Sequence, residues 1–277
     1  LYTLLKIDEV NNLGAVRIRI RSLLAAMDMR REKHIHANEK TAAYHRVEFT
    51  KEMREAGYTI LAPQMSPIHF DIICPVFRKY GYRLELLDND NRSAIDMGLK
   101  FVNNDACFPS ITVVGQIMQA VLSGKYDTHK LAVIMTQTGG CCRASNYVAF
   151  IRRALEKADL GYIPVISLNL NGMEKNSGLT ISPAMIADMV QGAVYGDLLM
   201  RCLYRVRPYE KVPGSANALY ASWRDKCVST LMGHANFLHY GKLCRQIVAD
   251  FDTLELDESL HKPRVGIVGE ILVKYMP

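Results

Sequence analysis

The sequence contains no apolar run long enough to cross a membrane. A membrane-spanning helix needs about 20 consecutive, mainly apolar residues. The first ten residues include Lys6, Asp8 and Glu9, so they also lack the basic-then-apolar pattern of a secretory signal peptide. Together, these two absences predict a cytoplasmic protein that does not work with a membrane.

Several motifs of catalysis and ligand binding are missing as well. The chain has no G-x-x-x-x-G-K-[ST] phosphate loop, no G-x-S-x-G motif and no H-E-x-x-H motif. Its seven cysteines include no C-x-x-C pair, and their odd number and wide spacing argue against a disulfide framework. In a reducing compartment, cysteines are core residues, metal ligands or nucleophiles. ATP is not expected to bind to these residues, because they contain no phosphate-binding loop.

Basic residues are concentrated near the amino end of a chain whose formal net charge is +6. The cluster consists of Arg17, Arg19, Arg21, Arg30, Arg31 and Lys33. Aromatic residues are not interleaved with them, which argues against nucleic-acid binding. The cluster predicts solvated helix faces or, alternatively, contact with an acidic partner or a phosphate-bearing ligand.

Short apolar runs alternate with longer helical patterns through the middle of the chain. The four runs that predict buried strands are Tyr58–Ala62, Tyr82–Leu87, Leu131–Met135 and Pro164–Leu168. This alternation predicts an α/β fold of the Rossmann-like kind, with a mainly parallel sheet, flanking helices and an additional helical segment. Ser182-Pro183 has the cap and first-turn residues of a helix start, and the second long helical region is predicted from about Asn217 to Asp250.

Four segments are predicted along the chain. Residues 1–48 are a helical lead-in and linker, 49–180 an α/β domain that carries cysteine-containing loops, and 181–260 a helical segment. Residues 261–277 begin a further α/β unit, with a strand expected over Arg264–Gly269. Because the chain begins at Leu1 and stops soon after this strand-like run, we expect it to be part of a longer protein.

Three loops are predicted to carry the functional residues: Gln64–His69, Asn103–Pro109 and Thr136–Arg143. In parallel sheets, ligands bind at the carboxyl ends of strands, although only a weak strand pattern precedes Asn103. In the third loop, Gly139 and Gly140 allow close approach of the backbone to a ligand. Cys142 stands at a helix start, where the helix dipole favours thiolate, the form that binds iron. The alternative is a tight turn with two incidental cysteines.

Cys107 is the second candidate iron ligand, because it lies in a polar loop just before a helix. Cys107 and Cys142 could converge on one sheet edge and hold part of a cluster, but a [4Fe–4S] site normally needs about four ligands. Cys74 is either a further ligand or a core residue. Three other cysteines lie in helical patterns and are predicted to be core residues: Cys202, Cys227 and Cys244. His69 is either a general acid or base or a structural hydrogen-bonding residue.

Several strings in this chain resemble the large acyl-CoA dehydratase activase family, which is related to the 2-hydroxyglutaryl-CoA dehydratase activators. The strings are Tyr58–Leu61, Pro63–Met65, Pro67–Phe70, Val102–Cys107, Gln137–Gly140, Cys142–Tyr147, Pro164–Asn169 and Lys262–Lys274. The resemblance covers roughly residues 47–277 and falls in the dehydratase-like region at the carboxy-terminal end of such proteins. One departure is Cys141, where the family usually has a third glycine.

The resemblance implies a function in anaerobic redox chemistry. Such proteins join an ATPase module to dehydratase-like modules that carry iron–sulfur clusters, and ATP hydrolysis drives low-potential electron transfer for reductions or radical dehydrations. The resemblance implies that Cys107 and Cys142 are iron ligands of a cluster. It also implies that this chain holds the cluster site only in part, or that the cluster is absent from it. ATP belongs to a separate module, and further cysteines of the family pattern lie beyond Pro277.

The leading hypothesis is therefore an iron–sulfur-associated electron-transfer domain acting on acyl-CoA dehydratase or reductase chemistry. Its partner is an ATPase activator module in the same or another chain, and an acyl-CoA or other small molecule is the possible substrate. The residues expected around the cofactor are Gln64, His69, Asn104, Gln137, Thr138, Gly139, Gly140 and Arg143. Arg143 could balance thiolate charge. The alternative is a non-redox scaffold that docks an activator or an acyl-CoA.

Overall fold

The computed structural model describes residues 5, 13–34, 46–89, 91–103, 106–137, 143–168, 174–233, 237–263, 265–266, 268–269 and 275. The chain divides into two compact units, Leu1–His45 and Arg46–Pro277. The first contains helix α1, Leu13–Glu32, which has Arg30 and Arg31 in its last turn. The two positive charges stabilise the carboxyl end of the helix, because the helix dipole is negative there.

A four-stranded, all-parallel sheet forms the centre of the second unit. Its strands are β1 (Thr59–Ala62), β2 (Arg83–Leu86), β3 (Leu131–Thr136) and β4 (Val165–Leu168), in the order β2-β1-β3-β4. Each of the four predicted apolar runs contains or overlaps one strand. The fold class predicted from the sequence, a Rossmann-like α/β fold, is therefore confirmed.

The sheet has a hydrophobic core on each face, because alternate side chains of a strand point to opposite sides. Ile60 and Ile134 belong to one core, whereas Leu61 and Val133 belong to the other, and all four are almost completely buried. A strand buried on both faces must be apolar at successive positions. This requirement explains the continuous apolar runs in the sequence.

Five helices accompany the sheet within residues 46–168. They are α2 (Lys51–Glu55), α3 (Pro67–Lys79), α4 (Arg92–Phe101), α5 (Phe108–Val121) and α6 (Tyr147–Lys157). Helix α4 replaces the weak strand that the sequence suggested before Asn103. It begins at the N-cap Asn91, whose side-chain oxygen accepts hydrogen bonds from the backbone N–H groups of Ser93 and Ala94.

Helices α4 and α5 cross at two glycines. A Cβ atom built on Gly98 would lie 2.0 Å from the carbonyl oxygen of Ile111, and one on Gly115 would lie 1.8 Å from that of Ala94. Each glycine therefore faces the backbone of the other helix. The two helices can approach this closely only because neither position has a side chain.

The helical segment that follows contains α7 (Pro183–Val206), α8 (Ser215–Met232) and α9 (Phe237–Asp252). Ser182 caps α7 by accepting a hydrogen bond from Met185 N–H, as its sequence predicts. The helical region predicted from about Asn217 to Asp250 is occupied by two helices, because α8 ends before Gly233 and α9 begins at Phe237. Of the strand predicted over Arg264–Gly269, residues 264 and 267 lie outside the described ranges, and the other four residues have no strand assignment.

A buried ion pair connects α3 to α7. Lys79 Nζ lies 2.7 Å from Asp188 Oδ2 and also donates to the carbonyl oxygen of Leu231 at 2.7 Å. Tyr80 donates its hydroxyl hydrogen to the same carboxylate oxygen at 2.9 Å. Burial and this hydrogen bond raise the pKa of Tyr80 to about 12.

In the part of the chain that the structure describes, no helix has the length and apolar character needed to cross a bilayer.

Candidate functional site

The loop after β1 is held in place by two glutamine side chains. Gln116, completely buried on α5, accepts a hydrogen bond from Gln64 N–H at 2.9 Å and donates one to the Gln64 carbonyl oxygen at 3.2 Å. The Gln64 side chain accepts a hydrogen bond from Ser66 N–H at 3.2 Å and donates to Asp71 at 3.4 Å. Gln64 is thus a buried anchor of the loop, with its amide already engaged on both sides.

His69 lies in the first turn of α3, at the carboxyl end of β1, and has a hydrogen-bond partner on each ring nitrogen. Its Nδ1 atom lies 2.8 Å from Ser66 Oγ, and its Nε2 atom lies 3.0 Å from Asp197 Oδ1 on α7. The His69 side chain is 14% exposed, whereas that of Asp197 is 68% exposed. The sequence suggested His69 but gave no sign of Asp197, which is far away along the chain.

Gly196 makes room for this histidine. A Cβ atom at position 196 would lie 2.6 Å from Cδ2 of the His69 ring, closer than real Cβ contacts allow. The glycine therefore lets the ring pack directly against the α7 backbone, next to Asp197. Close approach of this kind is a recognised use of glycine inside a helix.

Cys107 occupies the N-cap position of α5 and is partly exposed. Its sulfur lies 3.3 Å from the hydroxyl oxygen of Tyr147, the first residue of α6. Helix α6 follows β3, so its first turn marks the carboxyl edge of the sheet. Cys107 consequently lies at this edge, although its loop follows a helix instead of a strand. The cysteine thiol and the tyrosine hydroxyl share one hydrogen bond there.

Gln137 follows the last residue of β3 and connects three segments. Its amide nitrogen donates to the carbonyl oxygen of Ser145 at 2.9 Å, and its amide oxygen accepts from Ser167 Oγ on β4 at 2.6 Å. Both ends of the side chain are therefore occupied within the protein. Gln137 shapes the strand ends at this edge instead of presenting an unoccupied amide to a ligand.

Of the other predicted site residues, the structure describes only Arg143. Arg143 begins a 3₁₀ helix, Arg143–Asn146, that leads into α6. Five predicted residues lie outside the described ranges: Asn104, Thr138, Gly139, Gly140 and Cys142. Four predicted residues, Gln64, His69, Cys107 and Gln137, are described and lie at loops or helix starts along the carboxyl edge of the sheet.

The other described cysteines behave as core residues. Burial raises the pKa of Cys74 and of Cys227 to about 12, and it also raises the pKa of Cys202 and Cys244. Within the described ranges, no three His, Cys, Asp or Glu side chains gather as potential metal ligands. Cys74 lies 6% exposed in the core beside α7 and α8, which favours the core interpretation over the ligand one.

We predict that Cys74 reacts far more slowly with iodoacetamide than Cys107 does. Raising a thiol pKa by about three units lowers the fraction of thiolate about 1,000-fold. A thiolate of higher pKa is more nucleophilic, which offsets part of this loss of rate. The alkylation of Cys74 is therefore expected to be about 50-fold slower. Burial slows the reaction further. Peptide mapping by mass spectrometry over time measures both rates, and unfolding in guanidinium provides the control in which the two should react alike. Equal rates in the folded protein would contradict the core placement of Cys74.

An apolar cavity of about 210 Å³ lies beneath the carboxyl edge of the sheet. Strand-end residues Ala62, Thr136 and Leu168 form part of its wall. Other lining residues come from α3, α7 and the loop after β1, and include Pro63, Met65, Phe70, Ile73 and Met189. The sequence did not predict this cavity, because it forms between elements that are distant in sequence.

Comparison with known proteins finds no family model, curated protein or solved structure that matches this chain.

Proposed function

We propose that this chain is an iron–sulfur-associated module of an ATP-coupled, low-potential electron-transfer system in the cytoplasm of an anaerobe. The system would act on acyl-CoA dehydratase or reductase chemistry. ATP would be bound and hydrolysed by a separate activator module, in the same chain or another, which passes electrons to this one. The proposal rests on the family resemblance of the cysteine loops and on the position of Cys107.

The observation that supports it most directly is the contact between Cys107 and Tyr147. Cys142, the second predicted ligand, precedes Tyr147 by five residues in the sequence and lies outside the described residues. We propose that its thiol meets that of Cys107 at this sheet edge, because a shared inorganic cluster requires two thiols close together.

The chemistry of Cys107 fits an iron ligand. The residue is partly exposed, and it stands at the amino end of a 14-residue helix, whose dipole favours the thiolate. An iron–sulfur cluster bound there would supply one-electron transfer at low potential. Cys107 and Cys142 would provide two of its ligands, and the remaining ligands would come from other residues or from a partner.

A second candidate function is favoured by the apolar cavity. A non-redox module that docks an acyl-CoA would need an apolar space for the acyl group, and the 210 Å³ cavity at the strand ends provides one. In this alternative, Cys107 and Cys142 remain thiols. Iron binding therefore separates the two candidates.

We expect anaerobic reconstitution with ferrous iron, sulfide and glutathione to give a cluster whose retention depends on Cys107. Glutathione supplies the thiolates that two protein ligands leave unfilled. Cys107→Ser and Cys142→Ser should each reduce protein-bound iron and the visible thiolate-to-iron absorbance at least fivefold. The matched control is Cys202→Ser on α7, which should retain both signals. Equal iron in all four proteins, or none in any, would contradict the proposal and favour the scaffold function.

A further inference from the structure

Ser66, His69 and Asp197 form a continuous row of hydrogen bonds at the carboxyl end of β1. Ser66 Oγ lies 2.8 Å from His69 Nδ1, and His69 Nε2 lies 3.0 Å from Asp197 Oδ1. A hydroxyl within reach of an imidazole, with the imidazole oriented by a third group, is the arrangement that activates a serine nucleophile. The electron-transfer function proposed above gives no role to Ser66 or Asp197.

The hydrogen bonds determine which way the proton of the serine moves. A carboxylate only accepts hydrogen bonds, so Nε2 of His69 must carry the hydrogen that is shared with Asp197. In the neutral imidazole, Nδ1 is then the acceptor, and Ser66 must donate its O–H hydrogen to it. His69 is consequently poised to remove the proton of Ser66, and Asp197 is placed to stabilise the imidazolium that results.

Another serine in the same chain shows that this orientation is not simply a capping geometry. Ser66-Pro67 and Ser182-Pro183 both begin a helix with the same dipeptide. The Ser182 hydroxyl accepts a hydrogen bond from Met185 N–H, as N-cap residues usually do. The Ser66 side chain makes no capping hydrogen bond and is directed to His69 instead.

Two residues next to this row in sequence line the apolar cavity, whereas Ser66, His69 and Asp197 are not among its lining residues. Met65 and Phe70, which bracket Ser66 and His69 in sequence, both line the 210 Å³ cavity. An apolar protein cavity of about 150 Å³ is large enough for benzene, so 210 Å³ suits about six to eight carbon atoms. Ser66 itself is partly exposed, which leaves its hydroxyl accessible to a carbonyl group.

We propose that Ser66 is an activated nucleophile that accepts an acyl group from a carboxylic ester or thioester with an apolar chain of about six to eight carbons. Ser66 Oγ forms a bond to the carbonyl carbon while its proton moves to His69 Nδ1. The carbon–oxygen or carbon–sulfur bond to the leaving group then breaks, and His69 returns the proton to the departing alkoxide or thiolate. Water, deprotonated by His69, hydrolyses the acyl-serine and restores the hydroxyl. No oxidant or reductant takes part.

A fluorophosphonate probe tests the nucleophile directly, because it phosphonylates activated serines with loss of fluoride. We expect the probe to modify Ser66 and not Ser182, as identified by peptide mass spectrometry. Ser66→Ala and His69→Gln should each reduce labelling at least 100-fold, since general-base assistance contributes about 10²–10⁴-fold. Asp197→Asn should reduce it about tenfold, and Ser182→Ala should leave it unchanged. Circular dichroism establishes that each variant is folded.

Hydrolysis of p-nitrophenyl esters tests the acyl preference. The hexanoate ester should react faster than the acetate and dodecanoate esters. Met189→Trp, which fills the cavity, should lower the hexanoate-to-acetate rate ratio about tenfold. The proposal is overturned if the probe leaves Ser66 unmodified in the folded protein, or if Ser66→Ala hydrolyses hexanoate at the original rate. Both assays are run without iron and with a chelator, so their outcome is independent of the electron-transfer proposal.

Discussion

Replacing Gly115 with alanine should lower the free energy of unfolding by about 3 kcal/mol or more, at the upper end of the usual cost of overpacking a core. The new methyl group would meet the carbonyl carbon and oxygen of Ala94 and the backbone nitrogen of Gly98, all within 2.8 Å. Backbone atoms cannot rotate away as a flexible side chain can. Helices α4 and α5 would therefore have to separate and lose contacts along their whole interface.

Urea unfolding followed by circular dichroism measures this effect from the shift in midpoint at constant slope. Gly241→Ala is the matched control, because among the described residues, its own helix backbone aside, no atom lies within 4 Å of the added methyl group in α9. There alanine should stabilise the protein by about 0.5–1 kcal/mol through its better helix propensity. The two substitutions are chemically identical and should have opposite signs. A Gly115→Ala protein as stable as the original would show that the helices are farther apart than described.

Asp188→Asn should lower the free energy of unfolding by about 3 kcal/mol. The carboxylate is 3% exposed and faces the ammonium group of Lys79, which is 20% exposed. Breaking a buried ion pair by neutralising one partner typically costs about 3–5 kcal/mol. Because water has partial access to Lys79, we expect a loss in the free energy of unfolding at the lower end of this range. Tyr80 would also lose its carboxylate acceptor.

Chemical unfolding again provides the measurement, and Asp225→Asn provides the control. Asp225 pairs with Arg224, but its side chain is 70% exposed, so its loss should change stability by less than about 1 kcal/mol. Tyr80→Phe removes a single hydrogen bond and should cost about 1 kcal/mol. If Asp188→Asn and Asp225→Asn had equal effects, the α3–α7 ion pair would not be a significant source of stability.

The sheet was predictable because its strands are buried on both faces. A run such as Leu131–Met135 must be apolar at every position, and this pattern is visible without knowing the fold. Helix α4 was missed because it is short and lies next to polar residues. The sequence pattern of this segment is therefore like that of a loop with a weak strand. The helical character of residues 217–250 was predictable, and Gly233, a common helix-ending residue, marks the end of α8 within it.

The candidate site was only partly predictable, since its contacts join distant residues. Cys107 and His69 could be singled out from their loops, but nothing local indicates that Tyr147 or Asp197 is beside them. Gln64 and Gln137 are a second example. They were expected around a cofactor, and their amides instead form hydrogen bonds within the protein. Local sequence identifies a polar loop but does not reveal which of its groups are already engaged.

The strand order β2-β1-β3-β4 has a consequence for synthesis on the ribosome. When β1 and β2 have emerged, β1 still lacks its second neighbour, which begins only at Leu131. The core face that contains Ile60 and Ile134 stays uncovered for longer, because it packs against α7 to α9, which are synthesised later and end at Asp252. At about 5–20 residues per second, the roughly 190 residues from Ile60 to Asp252 take about 10–40 seconds to synthesise. The nascent chain is therefore a candidate for chaperone binding during that interval.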